Sequence, residues 1–188
     1  MKIQAASTIA LLFATLGLPS MAEAKHEKVR AQLLAYDQAP DRATLEQAAA
    51  PSEAEAALME IHGDPSMAEV IRLRALDALG LFDSLSVRGY LHQLTSDSKA
   101  STVHRLRAAT AMVHAFGDGA LTTVRPVLTN PSSDGDLRVA IADALVRYAG
   151  PAGRELVRRA SILAKDPARM DAMEKILDPN ENPLPQIR

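Results

Sequence analysis

The 188-residue chain contains no cysteine and no tryptophan, and aromatic residues make up only 3% of it. Without cysteine there is no disulfide framework, no thiolate nucleophile and no Cys-ligated metal. A bacterial lipoprotein also needs a cysteine directly after its leader, where this chain has Lys25. The scarcity of aromatic residues argues against a β-sandwich, whose strands favour aromatic and β-branched side chains. Alanine is abundant instead, which suits closely packed helices. Neither sign of charge dominates: the formal net charge is −2, so the total gives no reason to expect nucleic acid or a membrane surface as partner. Beyond the N-terminal segment no stretch reaches the roughly 18 apolar residues that a membrane helix needs. The sequence also lacks HExxH, GxSxG and a glycine-rich phosphate loop.

What is present begins with a leader pattern. Lys2 supplies a short positive segment, "IALLFATLGL" (9–18) an apolar run, and "AEA" (22–24) small residues at the −3 and −1 positions of a cleavage site. Cleavage after Ala24 is expected, leaving an exported protein, periplasmic or secreted, with no membrane insertion afterwards. It removes Lys2 and Glu23 together, so the charge stays −2.

The remainder is repetitive. "IRLRALDALG" (71–80) returns as "HRLRAATAMV" (104–113) and "LRVAIADALV" (137–146), 33 residues apart each time. This register aligns Arg72, Arg105 and Arg138, then Ala75, Ala108 and Ile141, then Ala78, Ala111 and Ala144. Within one copy Ala75, Ala78, Leu79 and Phe82 fall at i, i+3, i+4 and i+7, one face of an α-helix. A second helix aligns through Leu58, Leu91, Val124 and Val157, and the turn after it through "DP" (64–65), "DS" (97–98) and "NP" (130–131). Ser52 with Glu55 and Ser66 with Glu69 read as capping boxes. Asp83 or Ser84, and Asp118, read as caps of second helices, and Gly117 and Gly150 as stops of first helices. Pro126 should kink or shorten the helix that contains it. Helix pairs at a fixed period imply an all-α chain in which each unit buries its apolar face against its neighbours.

These residues resemble the bacterial HEAT-like repeat family. Ile71, Arg72, Ala75, Ala78, Leu79 and Gly80, after Asp64 and Pro65, match its pattern. The copy at 104–113 departs at His104, Met112 and Val113, and the third copy at Ile141 and Val146. The resemblance covers about residues 41–164 and implies an α-solenoid (α-α superhelix, armadillo-like) of about four HEAT-like helix pairs with capping helices. It also implies a binding scaffold rather than an enzyme. The expected organisation is a cleaved signal peptide (1–24), a capping helix (25–40) with Val29, Leu33 and Leu34 inward, and repeats at 41–65, 66–98, 99–131 and 132–165. A capping helix (166–177) with Met170, Met173, Ile176 and Leu177 inward and an extended tail (178–188) complete it.

Candidate chemistry is sparse. The five histidines show no i, i+4 pair, so no helix presents a zinc site. His104 takes the slot of Ile71 and Leu137 and reads as a tolerated, partly buried core residue, since one imidazole makes no site. Glu53, Glu55 and Glu60 suggest paired carboxylates, but a solvated helix face with one capping-box member accounts for them at least as economically. The arginine row reads either as an anion-binding stripe or as ties to acidic turn residues such as Asp64 and Asp97; the ties are favoured because this arginine belongs to the fold pattern of the resembled family.

The register also sets out a candidate partner-binding face on the second helices, formed by Arg88, His92, Arg125, Arg154 and Arg158, with Glu55, Met59 and Glu60 at the acidic N-terminal end. The expected function is a non-catalytic scaffold that binds a protein partner, with an acidic segment suited to the basic face. It needs no cofactor and no metal, and takes no nucleic acid. The alternative is a small-ligand or metal-binding accessory protein, with a lyase-like HEAT enzyme as a remoter one.

Overall fold

An Asp or Asn side chain that accepts the N–H two residues further on folds the chain into a tight turn. The turn occurs three times at the repeat spacing. Asp64 accepts from Ser66 N at 2.8 Å, Asp97 from Lys99 N at 2.8 Å, and Asn130 from Ser132 N at 2.9 Å. Each turn joins the end of one helix to the start of the next in a computed structural model that describes residues 21–35, 39–163 and 166–178. The leader through residue 20 and the tail from 179 lie outside the described residues, as do 36–38 at the end of the expected first cap.

Every regular element among the described residues is helical. In chain order they are α1 (Met21–Leu34), α2 (Arg42–Ala48), α3 (Pro51–Gly63), α4 (Glu69–Leu79), α5 (Leu85–Ser96) and α6 (Thr102–Phe116). A single 3-10 turn (Gly117–Ala120) leads into α7 (Leu121–Thr129), followed by α8 (Gly135–Tyr148), α9 (Gly150–Ile162) and α10 (Pro167–Leu177). Neighbouring helices pack against one another: α4 on α6 and α6 on α8, then α5 beside α7 and α7 beside α9. At the ends α1 lies on α3, and α10 on α8 and α9. No helix among the described residues is long and apolar enough to cross a membrane.

The aligned apolar rows form the core. Leu58, Leu91, Val124 and Val157 are fully buried, as are Ala75, Ala108 and Ile141. Each arginine of the row donates to a backbone carbonyl rather than to the side chain of an acidic turn residue, although the Arg72 charge also helps to hold the Asp64 carboxyl below its ordinary value. Arg72 Nε donates to the His62 carbonyl at 2.8 Å, Arg105 Nε to that of Thr95 at 3.4 Å, and Arg138 Nε to that of Leu128 at 2.8 Å. The last turn of a helix leaves its carbonyls without partners inside that helix. A guanidinium from the helix after the turn satisfies one of them each time. Arg138 is buried.

Several local expectations need correction. Ser66 does not cap α4; its own N–H serves the Asp64 turn, and the cap position falls on Ala68. Ser52 lies inside α3 because Pro51 takes the first helical position, and Glu53, not Glu55, reaches back to the Ala50 N–H at 3.3 Å. Asp118 sits in the 3-10 turn, and α7 starts after Ala120. Ser84 does cap α5, accepting from Val87 N at 3.2 Å. Gly117 and Gly150 adopt φ of +53° and +55°, left-handed values that a Cβ disfavours. Leu34 and Met170 face outward. Arg74 Nη1 donates to the carbonyls of Leu33 at 2.7 Å and Ala35 at 3.3 Å, and α10 packs on the core through Met173, Ile176 and Leu177. Pro126 lies within α7, which has 9 residues where α5 has 12 and α9 has 13.

Candidate functional site

Because α5, α7 and α9 lie side by side, Arg88, His92, Arg125, Arg154 and Arg158 fall on three adjacent helices, and their environments differ. The Arg88 guanidinium stacks on the Phe116 ring at 4.5 Å. His92 Nδ1 lies 3.3 Å from Thr123 Oγ1. Arg158 and Arg159 both engage Glu155, at 2.6 and 2.8 Å, and hold its carboxyl below the usual range. Arg125 is exposed and has no ion-pair partner among the described residues. Arg154 is half-buried, with its Nη2 shielded from solvent and without a hydrogen-bond partner. The stripe therefore has two cations without an ion pair among the described residues, Arg125 on its middle helix and Arg154 on α9.

The expected acidic end is smaller than the register suggested. Glu55 is buried, accepting from Ser84 Oγ at 2.6 Å and Ser86 Oγ at 3.0 Å, and so serves as a tie from α3 to α5. Glu53 pairs with Lys25 at 2.6 Å, which leaves Glu60 as the exposed carboxylate, 4.0 Å from His26.

On the opposite helices a cleft of about 270 Å³ opens between α4, α6 and the end of α8. Ala78 and Ala111 line it, so they do not simply fill a helix contact. Arg74, Asp77, His114 and Tyr148 supply the polar and aromatic part of the wall. Gly80 brings α4 close enough to α6 that a Cβ there would stand 3.1 Å from the Ala111 Cα. The His114 and Tyr148 rings lie 4.7 Å apart, and Asp77 meets Arg107 at 3.1 Å.

A third feature is interior. His104 is buried as expected, yet it is not alone: its Nδ1 lies 2.9 Å from His62 Nε2, across 42 residues of sequence. His62 Nδ1 lies 2.5 Å from the Tyr90 hydroxyl. Burial, together with the His104 and Arg72 charges, pushes the His62 imidazole down to about 4. His104 is also held below its ordinary value by burial and Arg72, against an opposing pull from Glu69. Burial raises the Tyr90 hydroxyl. Applied to Tyr90 and both histidines together, the 33-residue register could have brought this group to notice; i, i+4 spacing within one helix could not.

No family model, curated protein or solved structure matches the chain. The reading of function therefore rests on these three places. Among the described residues no three His, Cys, Asp or Glu side chains gather as metal ligands, which leaves the histidine pair as a hydrogen-bonded unit. Pro40, Ala78, Leu81 and Ala111 supply apolar wall to the cleft, and burial raises the Asp77 carboxyl against the opposing pull of Arg107.

Proposed function

We propose that the protein is an exported, non-catalytic scaffold, an α-solenoid of about four HEAT-like helix pairs that holds an acidic segment of a protein partner. The contact runs along Arg88, His92, Arg125, Arg154 and Arg158. One observation carries this reading: Arg125 is exposed and without an ion pair among the described residues, on the helix that lies beside both α5 and α9. An exposed cation without a counter-charge can take an incoming carboxylate in a charge-assisted hydrogen bond. The solenoid reading is supported by the arginine-to-carbonyl tie and the Asx turn, each recurring at 33-residue steps. Export is supported by the leader pattern of residues 1–24.

The test is capture from an envelope extract of the host by the parent and by an Arg125→Glu, Arg154→Glu double variant. The parent should retain a protein that the variant loses, with the circular dichroism unchanged, and retention should weaken as salt rises. Equal retention by both at every salt concentration overturns the assignment of this face. The cleft of about 270 Å³ favours a second reading, a small-ligand accessory protein, which a bound small molecule in the native mass spectrum would establish.

A further inference from the structure

Two imidazole nitrogens in a hydrogen bond need one N–H and one lone pair between them, so the tautomers of His62 and His104 are coupled. The surroundings allow two arrangements of the neutral pair. In one, the Tyr90 hydroxyl donates to His62 Nδ1, His62 Nε2–H donates to His104 Nδ1, and His104 Nε2–H faces Glu69 Oε1 at 3.7 Å. In the other, the Tyr90 hydroxyl donates to the Met59 carbonyl at 3.3 Å, His62 Nδ1–H donates to the Tyr90 oxygen, and His104 Nδ1–H donates to His62 Nε2. The second arrangement leaves a lone pair on His104 Nε2 towards the Glu69 carboxylate. One proton fits there and creates an ion pair without breaking a contact. A further proton on His62 has no such place, since it sets N–H against N–H across the 2.9 Å contact.

We propose that His62, His104 and Tyr90 form a two-step proton latch that ties α3 to α5 and α6, in which the first proton reverses the hydrogen-bond chain and the second opens it. The charged and titratable groups around the pair agree with this order. From α4, Arg72 holds the His62 carbonyl and opposes any added positive charge, while Glu69 favours charge on His104. From α5 only the Tyr90 hydroxyl meets the pair; Arg88 of that helix lies on Phe116. From α1, Lys25 and His26 face Glu53 and Glu60. Arg105 of α6 and Arg138 of α8 are committed to the Thr95 and Leu128 carbonyls. His62 at about 4 and His104 below its ordinary value keep both rings neutral, and the latch closed, at neutral pH. Unfolded imidazoles take up protons near 6.5. The folded pair resists, so stability is full above that pH and is lost as pH falls towards 4.

The latch depends neither on the proposed partner nor on export, and the purified chain tests it. Side-chain nitrogen NMR from pH 7.5 to 4 should show His104 protonating before His62, with the His62 N–H passing from one ring nitrogen to the other at that first step. Thermal unfolding over the same range should drop several degrees further in the parent than in His104→Leu, a variant that copies Leu137 at the matching position. His62 titrating near 6.5 with an unchanged tautomer overturns the proposal. So do equal pH slopes in parent and variant. If His104→Leu fails to fold, the NMR titration of the parent decides alone.

Discussion

Two junctions in the molecule share a backbone plan and differ in what fills it. At the first, His62 ends α3, Tyr90 lies on α5 and His104 begins α6. Moved on by 33 residues, the same places hold Thr95, Thr123 and Leu137. Both junctions have the Asx turn, and both have an arginine Nε on the carbonyl ten residues before it. Only the first has a hydrogen-bonded side-chain chain inside. At the second, Leu137 is fully buried, the Thr95 hydroxyl is buried without a partner, and Thr123 turns to His92 on the exposed side. The backbone tie is therefore general, and each instance contributes about 1 kcal/mol. The polar filling is particular. Buried polar groups rarely add net stability over apolar ones of like shape, which is why the first junction invites an explanation beyond folding.

The largest effect is expected where the junctions share a helix. Ala108 of α6 is fully buried, with α4 on one side and α8 on the other. Ala108→Asp should lose about 4 kcal/mol or more in chemical denaturation, because it places an unpaired carboxylate in the core of a helix packed on both α4 and α8. Ala111→Asp, one turn on, should lose about half as much, since Ala111 lines the cleft beside Arg74 and its carboxylate can reach water there. Equal losses would mean that the cleft is closed in solution.

How much of this was legible in the sequence follows the same division. The helical class, the turns and the rows of Leu58 and Ala75 were legible because each recurs at one period and a register averages out local exceptions. The arginine row was legible as a row. Its acceptor was not, because a backbone carbonyl leaves no mark in the sequence. Capping failed at Ser66 and Ser52 for a local reason: Asp64 claims the first N–H, and Pro51 advances the start of α3. The basic face was legible as positions on adjacent helices, whereas the burial of Glu55 was not, since serines 29 and 31 residues away take it inward. The cleft was hidden because Ala78 and Ala111 read alike whether they meet a helix or an opening.

Acidification comes next in size. Between an ordinary imidazole at 6.5 and His62 at about 4 lies about 3 kcal/mol of stability, present above the first value and lost by the second. Replacing His62→Thr and His104→Leu together turns the first junction into a copy of the second. The double variant should stay within about 1 kcal/mol of the parent at pH 7.5 and lose most of the imidazole-dependent slope between pH 6.5 and 4. Denaturant midpoints at a series of pH values measure it. A slope unchanged from the parent would assign the acid sensitivity to the carboxylates and erase the contrast between the junctions.

The smallest effect tests the contrast by its sign. Thr95→Val removes a buried hydroxyl that has no partner and keeps the shape and the β-branching of the side chain. Its backbone carbonyl, which holds Arg105, is untouched. An unsatisfied buried hydroxyl costs free energy, so the variant should be about 1 kcal/mol more stable and melt about 3 °C higher. His62→Leu, at the matching position of the first junction, should do the opposite, because it strands the His104 Nδ1 that His62 now serves and leaves the Tyr90 hydroxyl with the Met59 carbonyl alone. Differential scanning calorimetry at pH 7.5 reads both. Opposite signs at positions 33 residues apart would mean that one backbone plan carries a polar interior at the first junction and an apolar one at the second. A loss from both would mean that the Thr95 hydroxyl has a partner after all, such as a buried water, and that the second junction is polar too.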